Sequence, residues 1–303
     1  MKIAALLVSG ASTALAVSRT SPPDGCLHVA TSGGDYTTVQ AAIDALDTSS
    51  SDDQCVFVDE GTYTEQVYIA DRAAQLTIYG YTTDSTSYND NGATLTYNLP
   101  ASTAGSNDAS GTLRVWAENV KVYNLNVVNS CFQDTLLANE GSQWYEGCEI
   151  TGATDFIFGQ EAAAWFEGCD IRVREGGYYV TANGRDSSDN PSYYLFNNCD
   201  VAAASGESVT DGEYYLGRPW KTYSRTVFQS STLSAVINEA GWSAWNGDTD
   251  VDNVYYGEYA NSGDGAEGDR VDWAQMLSSA VTEETVLGSS YTSEAWYDAS
   301  YPS

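Results

Sequence analysis

Positive charge is scarce in this chain. Of 303 residues only 12 are Lys or Arg, against 42 Asp or Glu, for a formal net charge of −30. Nucleic acids and anionic membranes are held by basic surface, so neither is an expected partner. A polyanion would be held weakly, so a substrate should be neutral or only partly charged where it binds. Solubility in an acidic external medium is the plainer account of the same charge. Histidine is scarcer still, with His28 alone near the N-terminus. A Ser-His-Asp or Cys-His hydrolase needs an imidazole in the body of the fold, so both are disfavoured. No Cys/His spacing resembles a zinc site, and no metal is expected. Long apolar runs are also lacking. Residues 1–16 combine Lys2, the apolar Ala4-Ala5-Leu6-Leu7-Val8 and the small-x-small Ala14-Leu15-Ala16, which reads as a secretory signal peptide rather than a membrane span. The product should be secreted, extracellular and soluble. No Pro/Ser linker divides residues 17–303, which are expected to form one domain.

Six cysteines are present. Cys26 and Cys55 flank an early segment and could pair in an oxidising compartment. Cys148, Cys169 and Cys199 recur in similar frames, Trp-Tyr-Glu-Gly-Cys-Glu-Ile, Trp-Phe-Glu-Gly-Cys-Asp-Ile and Leu-Phe-Asn-Asn-Cys-Asp-Val. Equivalent positions on stacked parallel strands point the same way, which predicts a column of buried thiols rather than disulfides.

Those frames belong to a repeat. Gln133-Asp134-Thr135-Leu136-Leu137 runs on to Trp144-Tyr145-Glu146-Gly147-Cys148, and 21 residues later Thr154-Asp155-Phe156-Ile157-Phe158 runs on to Trp165-Phe166-Glu167-Gly168-Cys169. A fixed period of this kind marks stacked coils. Short β-rich runs such as Cys55-Val56-Phe57-Val58, Leu76-Thr77-Ile78-Tyr79, Val120-Lys121-Val122-Tyr123 and Thr226-Val227-Phe228-Gln229 alternate with Gly, Asn, Asp and Ser clusters. Many short strands also suit a sandwich, but the in-register repeat favours an all-β parallel β-helix. Residues 33–46 turn from a Gly-rich start into a helical pattern, with Val39, Ala42, Ile43 and Leu46 on one face, and are predicted to cap the first coil. The segment Val271 to Leu287 is expected to be helical or irregular and to pack across the coils.

The repeat stacks Asp134 and Asp155. Two carboxylates held together keep their protons differently, so one can serve as acid while the other serves as nucleophile or base. Asp155 taken alone is equally well a strand-start residue capping a turn. Arg218, in Leu216-Gly217-Arg218-Pro219-Trp220, can orient a carboxylate and hold it ionised; a structural ion pair is the plainer account. Trp220 suits a sugar-stacking platform, and an ordinary core Trp equally. The amide of Gln133 can donate to an oxyanion.

These residues resemble the pectin methylesterases (pectinesterases), most of all fungal-type secreted members. The resemblance runs through Gly33-Gly34-Asp35-Tyr36-Thr37-Thr38-Val39-Gln40-Ala41-Ala42-Ile43, Gly61-Thr62-Tyr63-Thr64-Glu65, Gln133-Asp134-Thr135-Leu136, Asp155-Phe156-Ile157-Phe158-Gly159 and Leu216-Gly217-Arg218-Pro219-Trp220. It implies a right-handed parallel β-helix and hydrolysis of methyl esters on galacturonate units of pectin, with no cofactor and a monomeric protein. It further implies that Asp155 is the nucleophile, that Asp134 protonates departing methanol and then activates water, that Arg218 holds the nucleophile, and that Gln133 helps hold the oxyanion. Trp220 and Phe158 would line the sugar cleft, with Thr112 as a further substrate contact. One departure stands out. The family carries another coil before the Gln-Asp-Thr-Leu motif, with a main oxyanion donor, a Gln; here Asn129-Ser130-Cys131-Phe132 runs straight into Gln133. About one coil, roughly 25 residues, is missing by that comparison. A gene-model or splicing error is favoured over an internal deletion. An inactive or pectin-binding homologue is therefore the alternative, and a β-helical glycosidase or lyase a more distant one.

Overall fold

The computed structural model describes residues 18–131, 133–247, 250–289 and 291. The predicted signal peptide lies outside the described residues. The architecture is a parallel β-helix. Three parallel sheets of ten, seven and six strands make the body of the molecule, and between Gln54 and Leu233 successive strands visit the three sheets in turn. Strands Leu136–Glu140, Ser142–Glu146 and Glu149–Gly152 make one coil, and Thr154–Gly159, Ala163–Glu167 and Asp170–Val173 the next. Their pairing is Leu136 with Ile157, Ser142 with Ala163 and Glu149 with Asp170, the 21-residue step on all three faces. Other coils have other lengths: Leu113 pairs Leu136, and Ala163 pairs Tyr193. The strand cross-section is kept while the turns between strands vary.

Stacking in register makes ladders of like side chains inside the coil. Tyr145, Phe166, Phe196 and Phe228 follow one another with ring centroids 4.8, 4.4 and 4.2 Å apart and near-parallel planes. Each such pair adds about 0.5–1.5 kcal/mol beyond its apolar burial. Ile150, Ile171, Val201 and Leu233 form a second buried column. Cys148, Cys169 and Cys199 are free, buried thiols, and Cys26 is joined to Cys55. Burial holds the Cys148 and Cys169 thiols well above their ordinary pKa, so they stay neutral.

Helix Val39–Ala45 caps the first coil and buries Val39, Ala42 and Ile43. Its first free amides are satisfied twice over. The Thr38 hydroxyl accepts from Ala41 N at 3.3 Å, and the Glu65 carboxylate accepts from Val39 N and Gln40 N at 2.8 and 2.9 Å. At the other end the predicted helical or irregular segment contains strand Gln275–Met276 and helix Glu283–Leu287. Val286 and Leu287 of that helix pack over Trp144, Trp165, Tyr193, Leu195 and Val227, across the ten-stranded sheet.

The stack is continuous where the missing coil was expected. Strand Leu113–Trp116 pairs directly with Leu136–Glu140, Val120–Tyr123 with Ser142–Glu146, and Asn126–Asn129 with Glu149–Gly152. The turn that joins these coils is tied by one buried side chain. The Asn129 amide donates to the carbonyls of Gln133 and Asp134, both at 2.8 Å, and its Oδ1 accepts from Cys131 N at 2.7 Å.

Candidate active site

Asp134 and Asp155 occupy the same place on adjacent coils, bracketed by the bridge between Gln133 and Thr154 and by the pair Leu136–Ile157. Both lie in the left-handed backbone region, at φ of 68° and 50°. Asp enters that region more readily than most residues. Asp134 stands just before strand Leu136–Glu140, and Asp155 is the second residue of strand Thr154–Gly159, where the pairing with the next coil is irregular between Thr154 and Ile157. Gly159, at the end of the second strand, has φ 143°, and a Cβ on it would fall 2.0 Å from the Ala138 carbonyl oxygen. Only glycine lets the two coils approach so closely behind the aspartates.

The two carboxylates differ in what holds them. The Asp155 carboxylate accepts Arg218 Nε on Oδ1 at 3.0 Å and Nη2 on Oδ2 at 2.6 Å, a two-pronged charge-assisted pair. Asp134 has no cationic partner among the described residues; its Oδ2 lies 2.6 Å from the Ser110 hydroxyl. Burial pushes the Asp134 carboxyl up to about 7, the Ser110 hydrogen bond works against that, and the charge of Asp155 adds to it. Burial also raises Asp155; the hydrogen bonds and charge of Arg218 oppose that rise without cancelling it. Asp155 is 7% exposed and Asp134 only 1%, so the Arg-held carboxylate is the more open of the two.

Arg218 is itself held rigidly. Its guanidinium lies between the rings of Tyr179 and Trp245, 4.1 Å from each centroid, and Nη1 donates to Asn246 Oδ1 at 3.3 Å. Its amide donates to the Thr181 carbonyl at 3.0 Å. Gly217 before it has no room for a side chain, because a Cβ would fall 2.1 Å from Thr181 Oγ1. Beside this clamp, Leu137, Phe158 and Ala182 form a small apolar floor with Trp116, Trp220 and Trp245 packed on it. A floor of aromatic faces next to a carboxylate pair can seat a sugar ring and present one of its substituents to the acids. No cluster of three or more His, Cys, Asp or Glu side chains with metal-binding geometry occurs among the described residues.

A family model described as pectinesterase matches residues 92–299. The chain is 46% identical over 319 aligned positions to a pectinesterase of Aspergillus aculeatus, covering 95% of this chain and 96% of that one. It belongs to the pectinesterase family. A pectinesterase of Aspergillus niger is 44% identical over 320 positions, with 96% of each chain covered. The crystal structure of the pectin methylesterase from Aspergillus niger, in penultimately deglycosylated form, superposes with a TM-score of 0.80 at 40% identity, covering 94% of this chain and 100% of that one. Membership makes the chain a carboxylic ester hydrolase by class, and it bears out the parallel β-helix and the fungal-type resemblance expected from sequence. Aligned with the Aspergillus aculeatus protein, this pectinesterase-family chain leaves about 30 of the 319 positions without a residue of its own.

Of the site residues expected from sequence, Asp134, Asp155 and Arg218 are brought into one cluster, with Phe158 and Trp220 beside it. Gln133 is partly exposed next to Asp134; its backbone carbonyl is held by Asn129, and its carboxamide makes no hydrogen bond among the described residues. Thr112 is fully buried, its carbonyl accepting from Val67 N and its hydroxyl without a partner among the described residues. Ser110, Asn129, Tyr179 and Trp245 escaped sequence reasoning. Only Trp245, in Gly241-Trp242-Ser243-Ala244-Trp245, carried a signal, a second Trp at the end of a turn-rich run. A cavity of about 490 Å³ lies elsewhere, between the ten-stranded sheet and the C-terminal segment, lined by Tyr193, Arg225, Tyr255 and residues 277–282. A small hollow of about 40 Å³ is lined by Pro219, Trp220, Lys221, Thr222, Trp245 and Asp250.

Proposed function

We propose that this chain removes methyl esters from galacturonate units of pectin and releases methanol, with Asp155 as nucleophile and Asp134 as acid and then base. The observation that carries the reading is the Arg218 fork on Asp155, one coil away from a buried carboxyl that has no cation. An ionised Asp155 attacks the ester carbonyl carbon. The carbonyl oxygen gains the negative charge, and the Gln133 carboxamide donates to it. When the tetrahedral species collapses, the bond to the methoxy oxygen breaks and Asp134 passes its proton to that oxygen, giving methanol and an acyl–Asp155 anhydride. Asp134, now ionised, takes a proton from water as the water attacks the anhydride. Asp155 leaves as carboxylate, the substrate keeps a free acid, and Asp134 is protonated again. Raised proton affinity at Asp134 and a fixed cation at Asp155 suit those two roles in that order. Trp220, Trp245 and Phe158 would seat the sugar; Thr112, buried beneath, would act through the strand that follows it, Leu113–Trp116.

A single secreted monomer acting on extracellular pectin completes this reading, supported by the hydrophobic N-terminal run and the high acidic charge. Asp155→Ala should abolish methanol release from methylated pectin while the folded signature in circular dichroism is kept. Undiminished release would overturn the nucleophile assignment.

A second reading, a pectin-binding form with little or no turnover, is favoured by the continuous stack at Asn129–Gln133 and by the roughly 30 unmatched positions. An oxyanion site short of one donor loses about 10²–10³ in rate. Retention of the 303-residue protein on immobilised pectin without methanol release would support it, and turnover at ordinary esterase rates would refute it.

A further inference from the structure

Ser110 ends the short helix Asn107–Ser110, three residues before strand Leu113–Trp116, which stacks under the strand that follows Asp134. It is fully buried. Its hydroxyl oxygen lies 2.7 Å from the Asn107 carbonyl oxygen and 2.6 Å from Asp134 Oδ2. A hydroxyl has one proton to give, while both of these neighbours accept when Asp134 is ionised. Back-bonding to the carbonyl three residues earlier is ordinary for a Ser at a helix end and would account for the first contact alone. The second contact reaches 24 residues along the chain, onto a carboxyl that no cation faces.

We propose that Ser110 is a positioning residue for Asp134, its hydroxyl turning between the Asn107 carbonyl and the Asp134 carboxylate as Asp134 gains and loses its proton. With Asp134 protonated, the carboxyl O–H donates to Ser110 Oγ, and Ser110 donates to Asn107. Once Asp134 has given its proton away, the Ser110 O–H swings to donate to the bared carboxylate. No proton leaves Ser110 in either state. The turn supplies a donor to the charged form at the moment the charge appears, on a carboxyl that is only 1% exposed.

The other charged groups around Asp134 do not do this. Asp155, from the next coil, disfavours the charge, and the Arg218 cation is engaged by Asp155. Below, Asp108 and Arg114 are paired with each other, and Arg174 donates to the Asn129 carbonyl at 3.2 Å and pairs with Glu207. Ser110 is the one side chain among the described residues that hydrogen-bonds the Asp134 carboxyl.

The proposal rests on the acid and base role given to Asp134, and the experiment separates the two. The Asp134 carboxyl is titrated by ¹³C NMR, assigned by its absence in Asp134→Asn, in the unaltered protein, Ser110→Ala, Ser110→Thr and Ser110→Cys. Loss of a hydrogen bond to a charged group corresponds to about one pH unit, so Ser110→Ala should raise the midpoint by about that much. Ser110→Thr should restore it, and Ser110→Cys, which packs like serine but donates weakly, should fall between. The alkaline limb of kcat for methanol release should move up with the titration while KM stays put. An unmoved midpoint in Ser110→Ala, or in Ser110→Cys should the alanine form not fold, overturns the proposal. Undiminished release by Asp134→Asn alongside the expected shift would instead sink the acid and base reading and leave the Ser110 contact standing.

Discussion

Arg218→Lys keeps the charge and loses the fork, and so tests what the geometry around Asp155 contributes. Arg218 makes two hydrogen bonds to the carboxylate, at 3.0 and 2.6 Å. A lysine ammonium can replace one at most, and it cannot lie flat between Tyr179 and Trp245 as the guanidinium does. A hydrogen bond to a charged group contributes about 1.5–3 kcal/mol, and each 1.36 kcal/mol is one pKa unit. Both side chains are nearly buried, at 13% and 11% exposure, so little of this is lost to solvent screening. The Asp155 carboxyl should therefore rise by about 1–2 pH units further. Because the attacking form is the carboxylate, the acid limb of methanol release should move up by the same amount. Measured at a pH below that limb, the rate should fall about 10- to 100-fold, and the variant should recover as the pH rises past the shifted midpoint. The assay is methanol release from highly methylated pectin across pH 3–9, with the Asp155 carboxyl titrated by ¹³C NMR in parallel. A uniform fall at every pH with an unmoved titration would refute the reasoning, because Arg218 would then act on the substrate or the fold rather than on the proton affinity of Asp155.

Two further outcomes follow from the same structure. Burial pushes both the Asp134 and Asp170 carboxyls up to about 7 from an ordinary 3.8, so the folded protein binds protons that the unfolded chain has released. Their contribution to stability is complete below about pH 4 and is lost as pH rises towards about 7; the urea midpoint should fall across that window and then level off, and Asp170→Asn should flatten the slope. Glu65→Ala removes the acceptor for the amides of Val39 and Gln40, which should cost about 0.5–2 kcal/mol in urea unfolding while leaving methanol release unchanged.

Much of the fold was legible because stacking writes itself into sequence. Residues that face one another across coils experience the same surroundings, so Trp-Tyr-Glu-Gly-Cys and Trp-Phe-Glu-Gly-Cys recur and their register gives away the neighbours, Asp134 and Asp155 included. The cap was legible for a different reason, since Val39, Ala42 and Ile43 obey helical spacing. What stayed hidden lies mostly between the strands or at their ends. Ser110 and Trp245 reach the site from segments outside the strands, which have no period to read, and Tyr179 reaches it from the first position of strand Tyr179–Asn183. Asn129 looked like any polar residue at a strand end; only the short junction after it reveals that its amide holds two carbonyls. The left-handed backbone at both aspartates was equally silent, because Asp is common in turns whatever it does next.

The unbroken pairing across Asn129–Gln133 says something about how such a molecule can change. Each rung presents the same three edges upward and downward, so a whole rung can be taken out and the cut ends rejoin without a mismatched strand. A half rung would leave one edge facing the wrong partner. Alterations in length are therefore tolerated in whole turns of the spiral, and each one slides the upper part of the molecule down onto a new set of neighbours. Backbone order survives that slide intact, while the side chains beneath the aspartates are exchanged all at once.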